Sequence, residues 1–129
     1  MKIAIIGAGN LGISIAKGIL NSNGATTMYL TKRNTENIKK FENYGNVTVT
    51  NDNRLAVQNS DILILAVQPS QLESILNDFK DLLTEKHVII STITGYSIEK
   101  MEDILGADQN IIRSMRAHCT FNSIIKNRY

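Results

Sequence analysis

The stretch Gly7-Ala8-Gly9-Asn10-Leu11-Gly12 follows directly on an apolar run, Ile3-Ala4-Ile5-Ile6, near the N-terminus of the chain. A short, uninterrupted apolar run of this kind predicts a buried β-strand. Residues 10–20 have apolar side chains at four-residue spacing, which predicts a helix with one buried face. The glycines therefore lie in a turn between a strand and a helix, in the pattern G-x-G-x-x-G.

This turn has the composition of a binding site for the pyrophosphate of a dinucleotide. Gly7 permits a sharp turn out of the strand, Gly9 leaves room for the pyrophosphate, and Gly12 lets the helix pack closely on the sheet. The helix N-terminus adds free N–H groups and the positive end of its dipole. Three glycines also suit a tight turn without a ligand, but their position between a strand and a helix favours a cofactor site.

The rest of the chain alternates short apolar runs with amphipathic stretches, which predicts an α/β fold. We expect a Rossmann-type, doubly wound, mostly parallel sheet with helices on both faces. Asn34 or Thr35 is expected to cap a helix that ends near Gly45, and Pro69 to open another whose capping box is Ser70 and Glu73. Further strands are predicted at residues 26–31, 47–49, 62–67, 87–91 and 110–114, and a short helix is predicted from Ser97.

The residues after the second strand indicate which dinucleotide is bound. A domain that binds NAD usually has Asp or Glu about 20 residues past the glycines, where the carboxylate holds the ribose hydroxyls. This chain has Lys32, Arg33 and Asn34 there, and no acidic residue before Glu36. Two cations and an amide can pair with the extra phosphate of NADP(H). A solvated surface pair is the alternative interpretation.

Several segments, in order, resemble the N-terminal NADP-binding domain of the pyrroline-5-carboxylate reductase family, which makes proline from its cyclic imine. They are Ile5 to Gly12, Ala16-Lys17-Gly18, Lys32-Arg33-Asn34, Asn53, Ser60-Asp61, Leu65 to Pro69 and Ser91 to Leu105. The resemblance implies that the adenosine half of the cofactor lies against Asn53 and the nicotinamide half along Ala66, Val67, Gln68 and near Thr94. The predicted cofactor site therefore comprises Gly7, Ala8, Gly9, Asn10, Leu11, Gly12, Lys32, Arg33, Asn34, Asn53, Ala66, Val67, Gln68 and Thr94.

The resemblance ends near Met115. The family continues there with proline, asparagine and threonine, whereas this chain has Arg116-Ala117-His118. We therefore expect a dinucleotide-binding domain at residues 1–115, an atypical tail at residues 116–129, and no counterpart of the family's helical second domain. No catalytic residue is carried over, and a small-molecule substrate is expected only if a second domain completes its site. A homodimer is a further possibility, formed through the face that the second domain covers in the family.

Other classes of protein fit the composition less well. A net charge of +2 with one two-residue basic cluster is too little for a nucleic-acid surface, and no apolar run is long enough to span a membrane. A single cysteine, Cys119, excludes an internal disulfide and favours the cytoplasm. His118 beside it is one of two histidines, so no metal site is predicted. Tyr96 and Lys100 form Y-x-x-x-K, the catalytic pair of short-chain dehydrogenases, but the glycine spacing differs and a helix start is favoured.

Three functions therefore remain. The leading one is NADP(H) binding for an oxidoreductase that resembles pyrroline-5-carboxylate reductase. A second is another NADP-dependent reductase, of the 3-hydroxyacid dehydrogenase or F420-linked type. A third is a non-enzymatic nucleotide-sensing domain, because the fold alone does not decide the chemistry.

Overall fold

The sheet of this protein is described by a computed structural model that covers residues 1–22 and 27–113. Its six strands there are β1 (Lys2–Ile6), β2 (Thr27–Thr31), β3 (Val47–Thr50), β4 (Ile62–Leu65), β5 (Val88–Ser91) and β6 (Asn110–Arg113). They lie in the order β3-β2-β1-β4-β5-β6, and each pair of neighbours is parallel. This is the strand order of a doubly wound dinucleotide-binding fold, so the predicted fold class is confirmed.

Helices cover both faces of this sheet. They are α1 (Asn10–Asn21), α2 (Asn53–Gln58), α3 (Pro69–Phe79) and α4 (Ile98–Leu105), with two 3₁₀ helices at Lys39–Tyr44 and Lys80–Leu82. Successive side chains of a strand point to opposite faces, and in β1 Ile3 and Ile5 pack in one apolar core while Ala4 and Ile6 pack in the other. The first core contains α1 and the second contains α2, α3 and α4.

The central strands are the ones that the sequence predicts best. Every residue of β4 is apolar and buried, as expected for a parallel strand covered on both faces. The strand ends at Leu65, so Ala66 and Val67 of the predicted run lie beyond its carboxyl end. That position brings them to the edge of the sheet where open α/β folds bind ligands.

The predicted helix between Asn34 and Gly45 is wrong. The Asn34 side-chain oxygen accepts the N–H of Glu36 at 3.1 Å, which makes a local turn, and only the 3₁₀ helix Lys39–Tyr44 follows. Ile38 and Phe41 are buried, and the Tyr44 ring stacks on Phe41 at a centroid distance of 6.2 Å. These three residues repeat every three positions, which matches the three residues per turn of a 3₁₀ helix.

Two helix starts also differ from the predictions. The sequence interpretation contained no helix at α2, yet the Asp52 carboxylate caps it by accepting the N–H groups of Arg54 and Leu55. The predicted capping box of Ser70 and Glu73 is wrong, because Gln68 is the N-cap of α3 and makes no side-chain cap bond. Proline fits the first helical position, so Ser70 falls inside the first turn.

Smaller differences concern the ends of strands. β5 begins at Val88, one residue later than predicted. The His87 ring is held just before it: Nδ1 accepts the Thr84 N–H at 3.0 Å, and Nε2 lies 3.1 Å from the Val57 carbonyl oxygen.

The predictions for Thr26, Ser114 and the tail at residues 116–129, including Cys119, lie outside the described residues. Within those residues, no helix is long and apolar enough to cross a membrane.

Candidate dinucleotide-binding site

Two of the three glycines in the turn between β1 and α1 are required by close packing. Gly7 has a φ of 90°, and a Cβ atom there would lie 2.5 Å from Cγ1 of Val67. A Cβ atom on Gly12 would lie 2.7 Å from the carbonyl oxygen of Gly7. The first position therefore needs both the left-handed backbone and the missing side chain, and the second lets α1 sit against the strand.

Gly9 differs from both, because it faces open space. A Cβ atom added there would have no neighbour within 4 Å. Its carbonyl accepts the N–H of Ile13 at 2.9 Å, which starts α1, and the N–H groups of the first turn have no acceptor within the helix. A side chain at Gly9 would fill the space in front of these N–H groups, where an anion can approach the backbone.

The end of β2 is attached to this turn by backbone hydrogen bonds. The carbonyl oxygen of Thr31 accepts the N–H of Gly7 at 3.1 Å and that of Ala8 at 2.7 Å. The hydroxyl of Thr31 also lies within hydrogen-bonding distance of the Gly7 N–H, at 3.3 Å. Lys32 and Arg33, which follow directly, are thereby held beside the glycine turn.

A first cavity of about 640 Å³ opens between the end of β2, the glycine turn and α3. Its predicted lining residues are Gly7, Gly9, Lys32, Arg33, Asn53, Ala66, Val67 and Gln68. Residues that the sequence interpretation did not include also line it, and they are Ile6, Thr31, Asn51, Ser70, Gln71, Ser74 and Ile75. A volume of this size is typical of a small-molecule site.

A second cavity of about 470 Å³ adjoins the first and shares part of its lining. Its predicted lining residues are Gly9, Asn10, Leu11, Ala66, Val67, Gln68 and Thr94, and the additional ones are Pro69, Thr92 and Ile93. Gly9, Ala66, Val67 and Gln68 line both cavities. Two adjoining cavities that share these four residues can take the two halves of an elongated ligand.

The charges of this site favour an anion. Among the described lining residues of both cavities there is no carboxylate, whereas Lys32 and Arg33 supply two cations. Neither cation has an ion pair with a described residue; the described ion pair joins Arg54 to Asp81 at 2.8 Å, with the Arg54 guanidinium bound to both carboxylate oxygens. The cations beside the glycine turn are therefore available for a phosphate.

Three of the predicted site residues lie outside the linings of both cavities. Ala8 is fully buried, and its N–H is donated to Thr31. Gly12 is packed against the turn, and the side chain of Asn34 is engaged with the N–H of Glu36. The sequence gives no signal for Gln71 and Ser74 of α3, because they are ordinary polar positions of an amphipathic helix.

The alternative Y-x-x-x-K pair does not belong to this site. The Lys100 ammonium lies 5.6 Å from the centre of the Tyr96 ring, so the two side chains do meet. Burial, followed by the nearby charges of Glu73 and Asp103, raises the pKa of Tyr96, which is the opposite of what a catalytic tyrosine needs. Tyr96 is in the described lining of neither cavity, and Ser97 caps α4 by accepting the Lys100 N–H.

The strand order, the glycine turn and the anion-favouring cavities define a Rossmann-type dinucleotide-binding domain. Residues 2–95 match the family model described as NADP oxidoreductase coenzyme F420-dependent, and the chain belongs to this family. Pyrroline-5-carboxylate reductase 1 of Dictyostelium discoideum is 40% identical over 115 residues, which are 88% of this chain and 21% of that protein. The chain is thus an NADP-binding domain of this oxidoreductase family, and its sequence is similar to the pyrroline-5-carboxylate reductases.

Solved structures show the same similarity. The pyrroline-5-carboxylate reductase of Coxiella burnetii has a TM-score of 0.80 and 30% identity, over 87% of this chain and 42% of that one. The Plasmodium falciparum pyrroline carboxylate reductase, solved with NADP bound, has a TM-score of 0.75 and 25% identity, over 88% of this chain and 41% of that one. The chain spans less than half the length of the curated relatives it matches.

Proposed function

We propose that this domain holds NADPH across its two cavities and serves the reduction of 1-pyrroline-5-carboxylate to proline. The observation that carries the proposal is the pair of cations, Lys32 and Arg33, held beside a glycine turn whose cavities contain no described carboxylate. The names of the relatives support the choice of substrate.

The residues fit the cofactor as follows. The N–H groups of the first turn of α1 would bind the pyrophosphate over Gly9, and Lys32 and Arg33 would pair with the adenosine phosphate. Asn34 would join them through its amide nitrogen, because only its side-chain oxygen is used by the Glu36 N–H. Asn53, which lines the first cavity, would lie against the adenosine half. The segment 66–68, Thr94, Asn10 and Leu11, which line the second cavity, would face the nicotinamide half. When bound, NADPH supplies the hydride.

The reaction adds a hydride to the imine carbon and a proton to the imine nitrogen, so that a C=N bond becomes CH–NH. Its rate depends on holding the imine carbon against the nicotinamide. We infer that groups outside residues 1–113 complete the substrate side, because the chain matches less than half of its relatives' length. A homodimer and a cytoplasmic location belong to the same proposal.

The test is NADPH oxidation with 1-pyrroline-5-carboxylate in excess, beside a direct measurement of NADPH binding. We expect a polypeptide of these 129 residues to bind NADPH and to show no turnover. Fusion to the remaining sequence of a relative should restore oxidation of NADPH. Turnover of about 1 per second or more by the 129 residues alone would show that they build a complete site.

A second candidate follows from the name of the family model, which specifies coenzyme F420. In that case the partner of NADP is a reduced or oxidised deazaflavin and not an imine. Oxidation of NADPH that depends on added oxidised F420, and not on the imine, would favour this candidate.

A further inference from the structure

The first cavity has a polar face that the cofactor assignment leaves without a role. It lies on α3, where Gln71 and Ser74 line the cavity together with the apolar side chain of Ile75. Gln71 and Ile75 are four positions apart and therefore neighbours on one side of the helix. Lys32 and Arg33 line the same cavity from the end of β2.

The side chain of Gln71 makes no hydrogen bond with the residues that the structure describes. Its backbone N–H is donated to the Gln68 carbonyl at 3.0 Å, but no described hydrogen bond uses its amide group. By contrast, the amide of Gln109 donates to the Thr84 carbonyl at 2.8 Å, and that of Asn77 to the Glu73 carbonyl at 3.0 Å. Gln71 thus presents a free donor and a free acceptor to the cavity.

We propose that Gln71 reads the adenine base of the cofactor, with Ile75 as the apolar surface under the ring. This inference rests on the proposed NADPH binding and specifies the base within that site. With the adenosine phosphate at Lys32 and Arg33, the base attached to the same ribose enters the cavity between these cations and α3. A glutamine amide pairs with adenine through two hydrogen bonds, accepting from the 6-amino group and donating to N7.

This geometry distinguishes adenine from hypoxanthine. Hypoxanthine carries an oxygen in place of the 6-amino group, so both positions of that edge become acceptors and the amide can satisfy only one of them. We therefore expect wild-type protein to bind NADPH roughly tenfold more tightly than the hypoxanthine analogue of NADPH. Gln71→Leu should remove this preference by weakening NADPH while leaving the analogue nearly unchanged.

The experiment is titration of the full chain with each reduced dinucleotide, followed by nicotinamide fluorescence. Gln58→Leu is the matched control, because Gln58 is an exposed glutamine at the end of α2, outside the described linings of both cavities. It should keep the wild-type preference, which would support the inference together with the result for Gln71→Leu.

Equal affinities of the wild type for the two dinucleotides, or a preference that survives in Gln71→Leu, would overturn the inference and leave NADPH binding intact. Failure of the wild type to bind either dinucleotide would overturn the proposed function, and this inference with it.

Discussion

The carbonyl oxygen of Thr31 accepts the N–H of Ala8 at 2.7 Å, and this bond joins the end of β2 to the glycine turn after β1. This bond matters because the cations follow the glycine turn by about 20 residues in the sequence. The bond holds Lys32 and Arg33 near Gly9, and all three residues line the first cavity. The residues proposed to bind the adenosine phosphate and those proposed to bind the pyrophosphate are thereby held together.

The glycine turn predicts opposite outcomes for two similar substitutions. Gly9→Val should fold and bind neither NADPH nor NADH, because the new side chain enters open space that the pyrophosphate needs. Gly12→Val should instead destabilise the fold, since its Cβ atom would lie 2.7 Å from the carbonyl oxygen of Gly7. Circular dichroism and dinucleotide titration check both. A Gly9→Val protein that is folded and binds NADPH normally would show that the pyrophosphate does not bind at this turn.

Two buried hydroxyl groups make a second contrast. The hydroxyl of Ser60 is buried without a hydrogen-bond partner among the described residues, whereas that of Thr92 donates to the Leu65 carbonyl at 2.8 Å. Ser60→Ala should leave the free energy of unfolding unchanged or raise it, because no hydrogen bond is lost. Thr92→Val should lower it by about 1 kcal/mol, because the hydrogen bond of the hydroxyl is lost while the backbone N–H of Thr92 still donates to the same carbonyl at 3.2 Å. Urea unfolding measures both, and a clear loss of stability in Ser60→Ala would show that its hydroxyl has a partner.

The ion pair between Arg54 and Asp81 predicts a pH dependence of stability. The hydrogen bond from the Arg54 guanidinium is the largest cause that lowers the pKa of Asp81. A carboxylate with a lowered pKa in the folded state stabilises the protein at neutral pH and loses this contribution as the pH falls below about 4. The pair is exposed, so the effect should be small.

Asp81→Asn measures this contribution. The variant should be less stable than the wild type at pH 7, and the difference in the free energy of unfolding should shrink as the pH is lowered toward 3. A difference that stays constant over that range would mean that the charge of Asp81 has no part in it.

The sequence predicts the sheet well because each strand is marked by an apolar run within a single short segment. The apolar runs at residues 3–6 and Ile62–Leu65 are buried on both faces, so composition alone identifies them. The capping residues Asn34 and Thr35 and the terminal Gly45 predict a helix but not its type, and the structure has the 3₁₀ helix Lys39–Tyr44 there.

The cavity face on α3 was not predicted for a different reason. Gln71 and Ser74 acquire a role only when α3 lies across from the end of β2, which is a contact between distant parts of the chain. In the sequence they are ordinary polar residues of an amphipathic helix. The cations at Lys32 and Arg33 could be predicted, because their distance from the glycines is set by the β-α-β unit itself.

The most direct test of the account is the affinity of the chain for NADPH and for NADH at low salt. We predict that NADPH binds about tenfold or more tightly, because the extra phosphate gains charge-assisted hydrogen bonds. The double variant Lys32→Ala with Arg33→Ala should lose this preference. The control is Lys39→Ala with Lys40→Ala, which removes the same charge outside the described linings of the cavities and should keep the preference. Equal affinities in the wild-type chain, or tighter binding of NADH, would contradict the assignment.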